Sequence, residues 1–297
     1  MPLFKTINHK AQKLVRKDFA NEKELQHFVE NNLEELFGIR FLASEYSTNH
    51  GGRIDSLGID ENNAPVIIEY KWGENSAIIN QGLFYLDWLV EHIAEFQLLV
   101  QKKIGQDVEV DTGSPRLILI AAAYSKFDGY AINRMAENIE MWSYNQYSDL
   151  FELKLVASSQ ATKKTENGKK VTKVNYDSYS VEDHLEGKSD KVKELFKELQ
   201  ERVMAFDSEG GIEELARKMY IAYRTNKNFV YLNFRSSSIY LDVSMNIDDI
   251  SSVEKSKLRD ITKVGHHGAG YTRYELSKMD DLDEATALVR ESYEQTK

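Results

Sequence analysis

The stretch Val66-Ile67-Ile68-Glu69-Tyr70-Lys71-Trp72 constrains this chain more than any other. Three consecutive β-branched apolar residues read as a strand covered on both faces, the pattern of a central strand rather than an edge strand. The strand then ends in a carboxylate and an ammonium. Placing both there costs solvation free energy unless they pair or meet a cation. Side chains alternate along a strand, so Glu69 and Lys71 share a face. The preceding run Arg53–Ile59 reads as a second strand, joined through the turn formers Asp60-Glu61-Asn62-Asn63-Ala64-Pro65. Such a hairpin brings Asp55 opposite Glu69. Two carboxylates and an ammonium then converge at one end of a sheet.

That group suits metal-assisted phosphodiester hydrolysis. Asp55 and Glu69 offer hard oxygen ligands for Mg²⁺ or Mn²⁺. A bound divalent ion polarises a phosphoryl oxygen and lowers the pKa of its water. Lys71 is placed to position that water and offset developing charge. Each residue taken singly has a plainer reading: Glu-x-Lys as an ion pair at a sheet edge, Asp55 as a turn carboxylate.

Around these strands the pattern is mixed α/β. Asn21–Phe37 has Leu25, Phe28, Val29, Leu33 and Leu36 at helical spacing, with Asn21 and Glu24 as a candidate cap. Ile39–Tyr46 reads as a strand, Ser76–Lys103 as a long helix, and Leu117–Ala123 as a buried strand. Asp128–Tyr144 reads as a helix and Leu150–Val156 as a strand. The order is α-β-β-β-α-β-α-β.

This arrangement, Asp55-x(13)-Glu69-Tyr-Lys71 on a hairpin between two helices, resembles the PD-(D/E)xK nuclease superfamily over roughly residues 20–125. Ile54 stands where the motif's name has Pro, a position that varies in the superfamily. The resemblance implies a restriction-endonuclease-like αβββαβ core. It also implies that Glu24, on the first helix, completes the metal site beside Asp55 and Glu69. Gln81 and Tyr85, at i and i+4, are similar to the Q-x-x-x-Y element of RecB-type nucleases and of archaeal endonucleases that cut single-stranded flaps or mismatched DNA. The likeness implies that Gln81 orients Lys71 and that Tyr85 faces a phosphate. Expected partners are Mg²⁺ or Mn²⁺ and DNA, single-stranded or branched, in repair or in defence against foreign DNA. Many nucleases of this fold dimerise, so a homodimer is an open expectation. The alternative is a catalytically silent, nuclease-like module that binds nucleic acid or protein.

GLFYLDWL at 82–89, LLVQKK at 98–103, KNFVYLNF at 227–234 and VGHHGAGYTRYEL at 264–276 resemble a widespread bacterial group in which such a domain is fused to a small domain of unknown function. Some members carry the label "predicted transport protein". No apolar run here reaches the length of a membrane span, and the N-terminus lacks the apolar core of a signal peptide. The expectation is therefore a cytoplasmic protein without membrane contact.

Charge argues against tight coating of a polyanion. The 297 residues hold 38 basic and 48 acidic side chains, a net of −10. The excess is uneven: residues 1–150 hold 14 basic and 22 acidic, a net of −8. The chain has no Cys, which excludes disulfides, thiolate zinc sites and Cys nucleophiles.

Residues 158–190 form a polar stretch with Lys163, Lys164, Lys169, Lys170 and Lys173 and a candidate turn at Asn167-Gly168. It separates an expected nuclease-like domain, 1–157, from an α+β domain, 191–297. The second domain reads as helices at Val192–Phe206 and Ile212–Tyr220, strands at Phe229–Phe234 and Ser238–Val243, and a helix at Leu282–Tyr293. Arg224, Lys227, Arg235 and Arg273 interleave with Tyr220, Tyr223, Phe229, Tyr231, Phe234 and Tyr271. That mixture serves either single-stranded nucleic acid or an Arg-covered aromatic core. His266-His267-Gly268-Ala269-Gly270 reads as a Gly turn rather than a ligand pair. His92 and Trp72 read as packed.

Overall fold

The computed structural model describes residues 3–73, 77–113, 115–159, 179–207, 211–263 and 270–296. The lysine-rich stretch with its Asn167-Gly168 turn, and His266 to Ala269, lie outside the described residues. The chain forms two compact units: residues up to Tyr176 apart from Leu36–Gly38, and those three residues with Asp177 onward. No helix of the described residues is long and apolar enough to cross a membrane.

The first unit opens with an unexpected hairpin, β1 (Phe4–Ile7) and β2 (Lys10–Lys13). Asn8 and His9 between them both have positive φ, at 49° and 63°, as the two-residue turns that match strand twist require. Then come α1 (Glu22–Glu30), α2 (Leu33–Phe37), β3 (Ile39–Ser47), β4 (Arg53–Asp60), β5 (Pro65–Lys71), α3 (Ala77–Glu91), α4 (Ile93–Lys103) and β6 (Arg116–Ala121). The α-β-β-β-α-β order read from the sequence is present, with each helical run divided in two. The unit ends with α5 (Lys126–Ile132), β7 (Asn138–Gln146) and β8 (Phe151–Ser159).

Six strands form one sheet in the order β3-β4-β5-β6-β7-β8. β4 and β5 are antiparallel, whereas β5, β6 and β7 run parallel. β5 is therefore interior, and Val66, Ile67 and Ile68 are fully buried, as their apolar run demands. Gly82 lets α3 lie close on β6, since a Cβ there would come within 2.8 Å of the Leu117 methyls. Leu57, Ile67, Leu117, Leu119 and Leu89 share the resulting core.

Asp128–Tyr144 is not one helix. It ends at Ile132, and 138–146 is a strand pairing with β6 and β8. The apolar positions Ile139, Met141, Trp142 and Tyr144 fit a strand buried between two neighbours as well as they fit a short helix.

The second unit has α6 (Val181–Leu185), α7 (Asp190–Met204), β9 (Glu213–Ala216), β10 (Ile221–Arg224), β11 (Asn228–Phe234), β12 (Ile239–Val243), β13 (Leu258–Asp260), β14 (Thr272–Leu276) and α8 (Leu282–Thr296). Its antiparallel sheet has the order β13-β14-β12-β11-β10-β9. The helix expected at Ile212–Tyr220 is instead strand β9 followed by a turn into β10, because backbone pairing with Ile221–Arg224 outweighs local propensity. Leu195, Phe196, Leu199, Leu232, Leu288 and Val289 meet in one core beneath the sheet.

Candidate active site

The backbone ladder between β4 and β5 ends at the pair Ser56 and Ile68. Beyond that pair, side chains replace carbonyls. The Asp55 N–H donates to Glu69 Oε1 at 3.2 Å, and the Tyr70 N–H donates to Asp55 Oδ2 at 3.1 Å. Each carboxylate thus caps the opposing strand, and the two acids stand face to face at the end of an interior strand. Glu69 is fully buried. Its Oε2 receives no hydrogen bond from any described donor.

The electrostatics follow from that burial. Loss of solvent, reinforced by the Asp55 carboxylate alongside, pushes the Glu69 carboxyl up to about 9. Asp55 is raised as well, chiefly by burial, with the Tyr70 N–H and the Lys71 ammonium pulling the other way. Ionising both carboxyls therefore calls for more positive charge than the Lys71 ammonium supplies. The donor set consists of hard oxygens, one of them orphaned and buried, which is what a divalent cation of the Mg²⁺ or Mn²⁺ kind requires.

Lys71 lies at the same strand end, and its Nζ donates to Glu22 Oε1 at 3.0 Å. Glu22 Oε2 accepts the Trp72 N–H at 3.2 Å. Glu22, not Glu24, is therefore the α1 acid at the site. Glu24 is turned into the helix cap: its N–H donates to Asn21 Oδ1 at 2.9 Å, and its carboxylate accepts the Ala20 N–H at 2.5 Å. A helix turns about 100° per residue, so positions 22 and 24 point to nearly opposite sides.

The face that carries Glu22 also carries Gln26 and Glu30 at i+4 and i+8. Gln26 Nε2 donates to the Asp55 carbonyl at 2.7 Å and to Ser44 Oγ at 3.1 Å. The Ser56 hydroxyl donates to Glu30 Oε1 at 2.6 Å. One polar stripe of α1 thus holds both the backbone of Asp55 and the ammonium of Lys71. Its spacing was visible in the sequence, where Glu24 drew attention as a capping residue instead.

Tyr85 is buried on α3, and its hydroxyl accepts the Arg53 N–H at 2.9 Å. It fixes the start of β4 two residues before Asp55. Gly52 makes this approach possible, with φ of +83° and no Cβ where one would stand 2.7 Å from the Tyr85 hydroxyl. Gln81 lies one turn earlier on α3 and is half-buried. Trp72 is not core. It is 47% exposed, and its Nε1 donates to the Phe19 carbonyl at 2.7 Å.

His92 is packed, as expected: its ring stacks on Trp88 with centroids 4.9 Å apart and contacts the Trp88 carbonyl through Nδ1. The His50, Glu91 and His92 ligand atoms lie within 4.8 Å of one another, but the Asn49 amide already occupies His92 Nε2 at 3.0 Å.

Part of the basic–aromatic mixture of the second unit is core, while Arg235 and Tyr271 are exposed. Arg224 is buried against Glu213 at 2.8 Å, and Arg273 grips Asp242 through two bonds of 2.7 Å. Tyr223, Phe229 and Tyr231 are fully buried.

Fold and site together define a two-unit chain, α/β then α+β, with a cross-strand carboxylate pair beside a lysine. A family described as Domain of unknown function (DUF5655) matches residues 181–296. An uncharacterised protein of Haemophilus influenzae is 27% identical over 308 residues, covering 98% of this chain and 99% of that one. Among solved structures, a repair endonuclease from Pyrococcus abyssi is 18% identical over 42% of this chain and 47% of its own, at a TM-score of 0.28. An EndoMS–dsDNA complex is 18% identical over 43% and 47%, at a TM-score of 0.26. This chain spans less than half the length of either structure.

Proposed function

We propose that the first unit is a divalent-metal-dependent nuclease that hydrolyses phosphodiester bonds in DNA. The observation that carries the proposal is the cross-strand pair of Asp55 and Glu69, raised by burial and left with an orphaned oxygen, directly beside Lys71. Asp55 and Glu69 would hold the ion, with Glu22 in the role expected of Glu24. When bound, Mg²⁺ or Mn²⁺ supplies Lewis-acid polarisation of the phosphoryl group and a more acidic water.

The chain's own residues do the rest. Glu22 holds the Lys71 ammonium through its 3.0 Å bond, so the cation is aimed before substrate arrives. Lys71 then orients the attacking water and offsets charge that develops on phosphate oxygens. Gln26 and Tyr85 keep the backbone around Asp55 in place. Gln81, one helical turn before Tyr85, would help to orient Lys71.

The test is cleavage of single-stranded, branched and duplex DNA with Mn²⁺ or Mg²⁺. Wild-type protein should cut at least one substrate, and Lys71→Ala should lower the rate by about two orders of magnitude or more, in the range seen when a preorganised charge is removed. If wild type and Lys71→Ala leave every substrate equally intact, the proposal fails.

A further inference from the structure

Among the described residues nothing covers the N-terminal hairpin. All eight residues of β1 and β2 are exposed. Phe4 and Val15 are 54% and 78% exposed. An isolated two-stranded ribbon is marginal in water, so a ribbon that no described residue covers calls for another use. Its charge points to that use. Residues 3–17 contain Lys5, Lys10, Lys13, Arg16 and Lys17 and no acid, inside a chain whose net charge is −10. Lys5 contacts Asp149 at 3.4 Å, and Arg16 contacts Asp18 at 2.7 Å. Lys10, Lys13 and Lys17 have no ion-pair partner among the described residues.

The base of this arm lies at the site. The Lys17 N–H donates to the Gln146 carbonyl at 2.8 Å, at the end of β7. β5, β6 and β7 are parallel, so that end is also the Lys71 end of the sheet. The Phe19 carbonyl receives the Trp72 indole, next to Lys71 in sequence.

We infer that residues 4–17 form a DNA-binding arm whose free lysines contact backbone phosphates next to the carboxylate–lysine site. This inference rests on the nuclease reading for the choice of polyanion. A two-stranded ribbon fits a DNA groove, and cations on both its faces suit phosphates on both sides. An anionic membrane would need one apolar face. The register instead sets Phe4 opposite Lys13 and Ile7 opposite Lys10, so apolar and basic residues are mixed on each face. The arm also answers the charge objection, since the acidity of the unit lies outside it.

The test measures binding of labelled duplex and single-stranded DNA by fluorescence anisotropy over a salt series, in EDTA, where metal-dependent cleavage does not run. For Lys10→Ala/Lys13→Ala/Lys17→Ala in the full chain, binding at 50 mM salt should weaken about tenfold or more. The slope of log K against log salt should become shallower by about 2 to 3, since each lost phosphate contact removes roughly 0.7 to 0.9. Replacing the same three lysines by Arg should restore both. An unchanged slope in the triple Ala variant, no DNA binding by wild type, or loss only of binding to anionic phospholipid vesicles would each overturn the arm. Cleavage without a slope change would refute the arm and leave the nuclease standing. A slope change without cleavage by wild type would do the reverse.

Discussion

Replacing Glu69 by Gln should stabilise the first unit at neutral pH. In the folded chain burial and Asp55 hold this carboxyl at about 9, against an ordinary value of 4.5. The folded state therefore binds the proton more tightly than the unfolded one. Stability from this group is complete below about pH 4.5, falls as pH rises, and levels off near 9, where both states are ionised. Each pH unit within that window is worth about 1.4 kcal/mol, so at pH 7 the cost is about 3 kcal/mol relative to pH 4.5. Asp55 shifts in the same direction and titrates together with Glu69, so the slope belongs to the pair.

Gln cannot ionise, and Glu69→Gln should remove most of that slope. Denaturant unfolding of both proteins at intervals from pH 5 to 9 reads the difference directly. The variant should gain on wild type steadily with pH and lead by a few kcal/mol at pH 7 to 8. Mn²⁺ should narrow that lead, because an ion at one hundred times its dissociation constant stabilises wild type by about 2.7 kcal/mol. Parallel curves for the two proteins across the whole range would refute the account of a buried, cation-starved pair.

Four further outcomes are expected. Glu22→Gln should slow DNA cleavage tenfold or more by releasing Lys71. Glu24→Ala should keep cleavage and cost about 0.5–1 kcal/mol of stability in urea melts, as a lost cap contact does; equal effects of the two on cleavage would contradict the assignment of Glu22. Gly52→Ala, at φ of +83° and against the Tyr85 hydroxyl, should lower stability by about 2 kcal/mol and cleavage with it, both measurable on one preparation. In the second unit, Asp242→Ala leaves the Arg273 guanidinium buried without its carboxylate and should cost about 3–5 kcal/mol by calorimetry.

The core of the first unit was legible because its signals are local. Val66–Ile68 could only be an interior strand, the Asp60–Pro65 turn formers set the hairpin, and period-2 alternation put Glu69 and Lys71 on one face. Two errors share a cause. Asp128–Tyr144 and Ile212–Tyr220 looked helical because short apolar runs satisfy both periods, and pairing with a neighbouring strand decides between them. For Arg224 and Arg273 a binding surface and an Arg-covered core both stayed open, because sequence does not show which basic residues meet a buried carboxylate. The N-terminal hairpin was missed because its strands are exposed and carry no apolar alternation strong enough to mark them.

The sequence by itself determined which residue types converge: two carboxylates and a lysine at the end of a buried hairpin strand, and a basic segment at the start of an acidic chain. Only the tertiary structure decided which acid of α1 joins them. Helical periodicity says that Glu22, Gln26 and Glu30 share one face and that Glu24 does not. It cannot say which face packs on β4 and β5, because that orientation is set by long-range burial of Leu25 and Val29 against the rest of the unit. The same holds for the raised carboxyls: their identity is local, while the loss of solvent that shifts them comes from strands and helices distant in sequence.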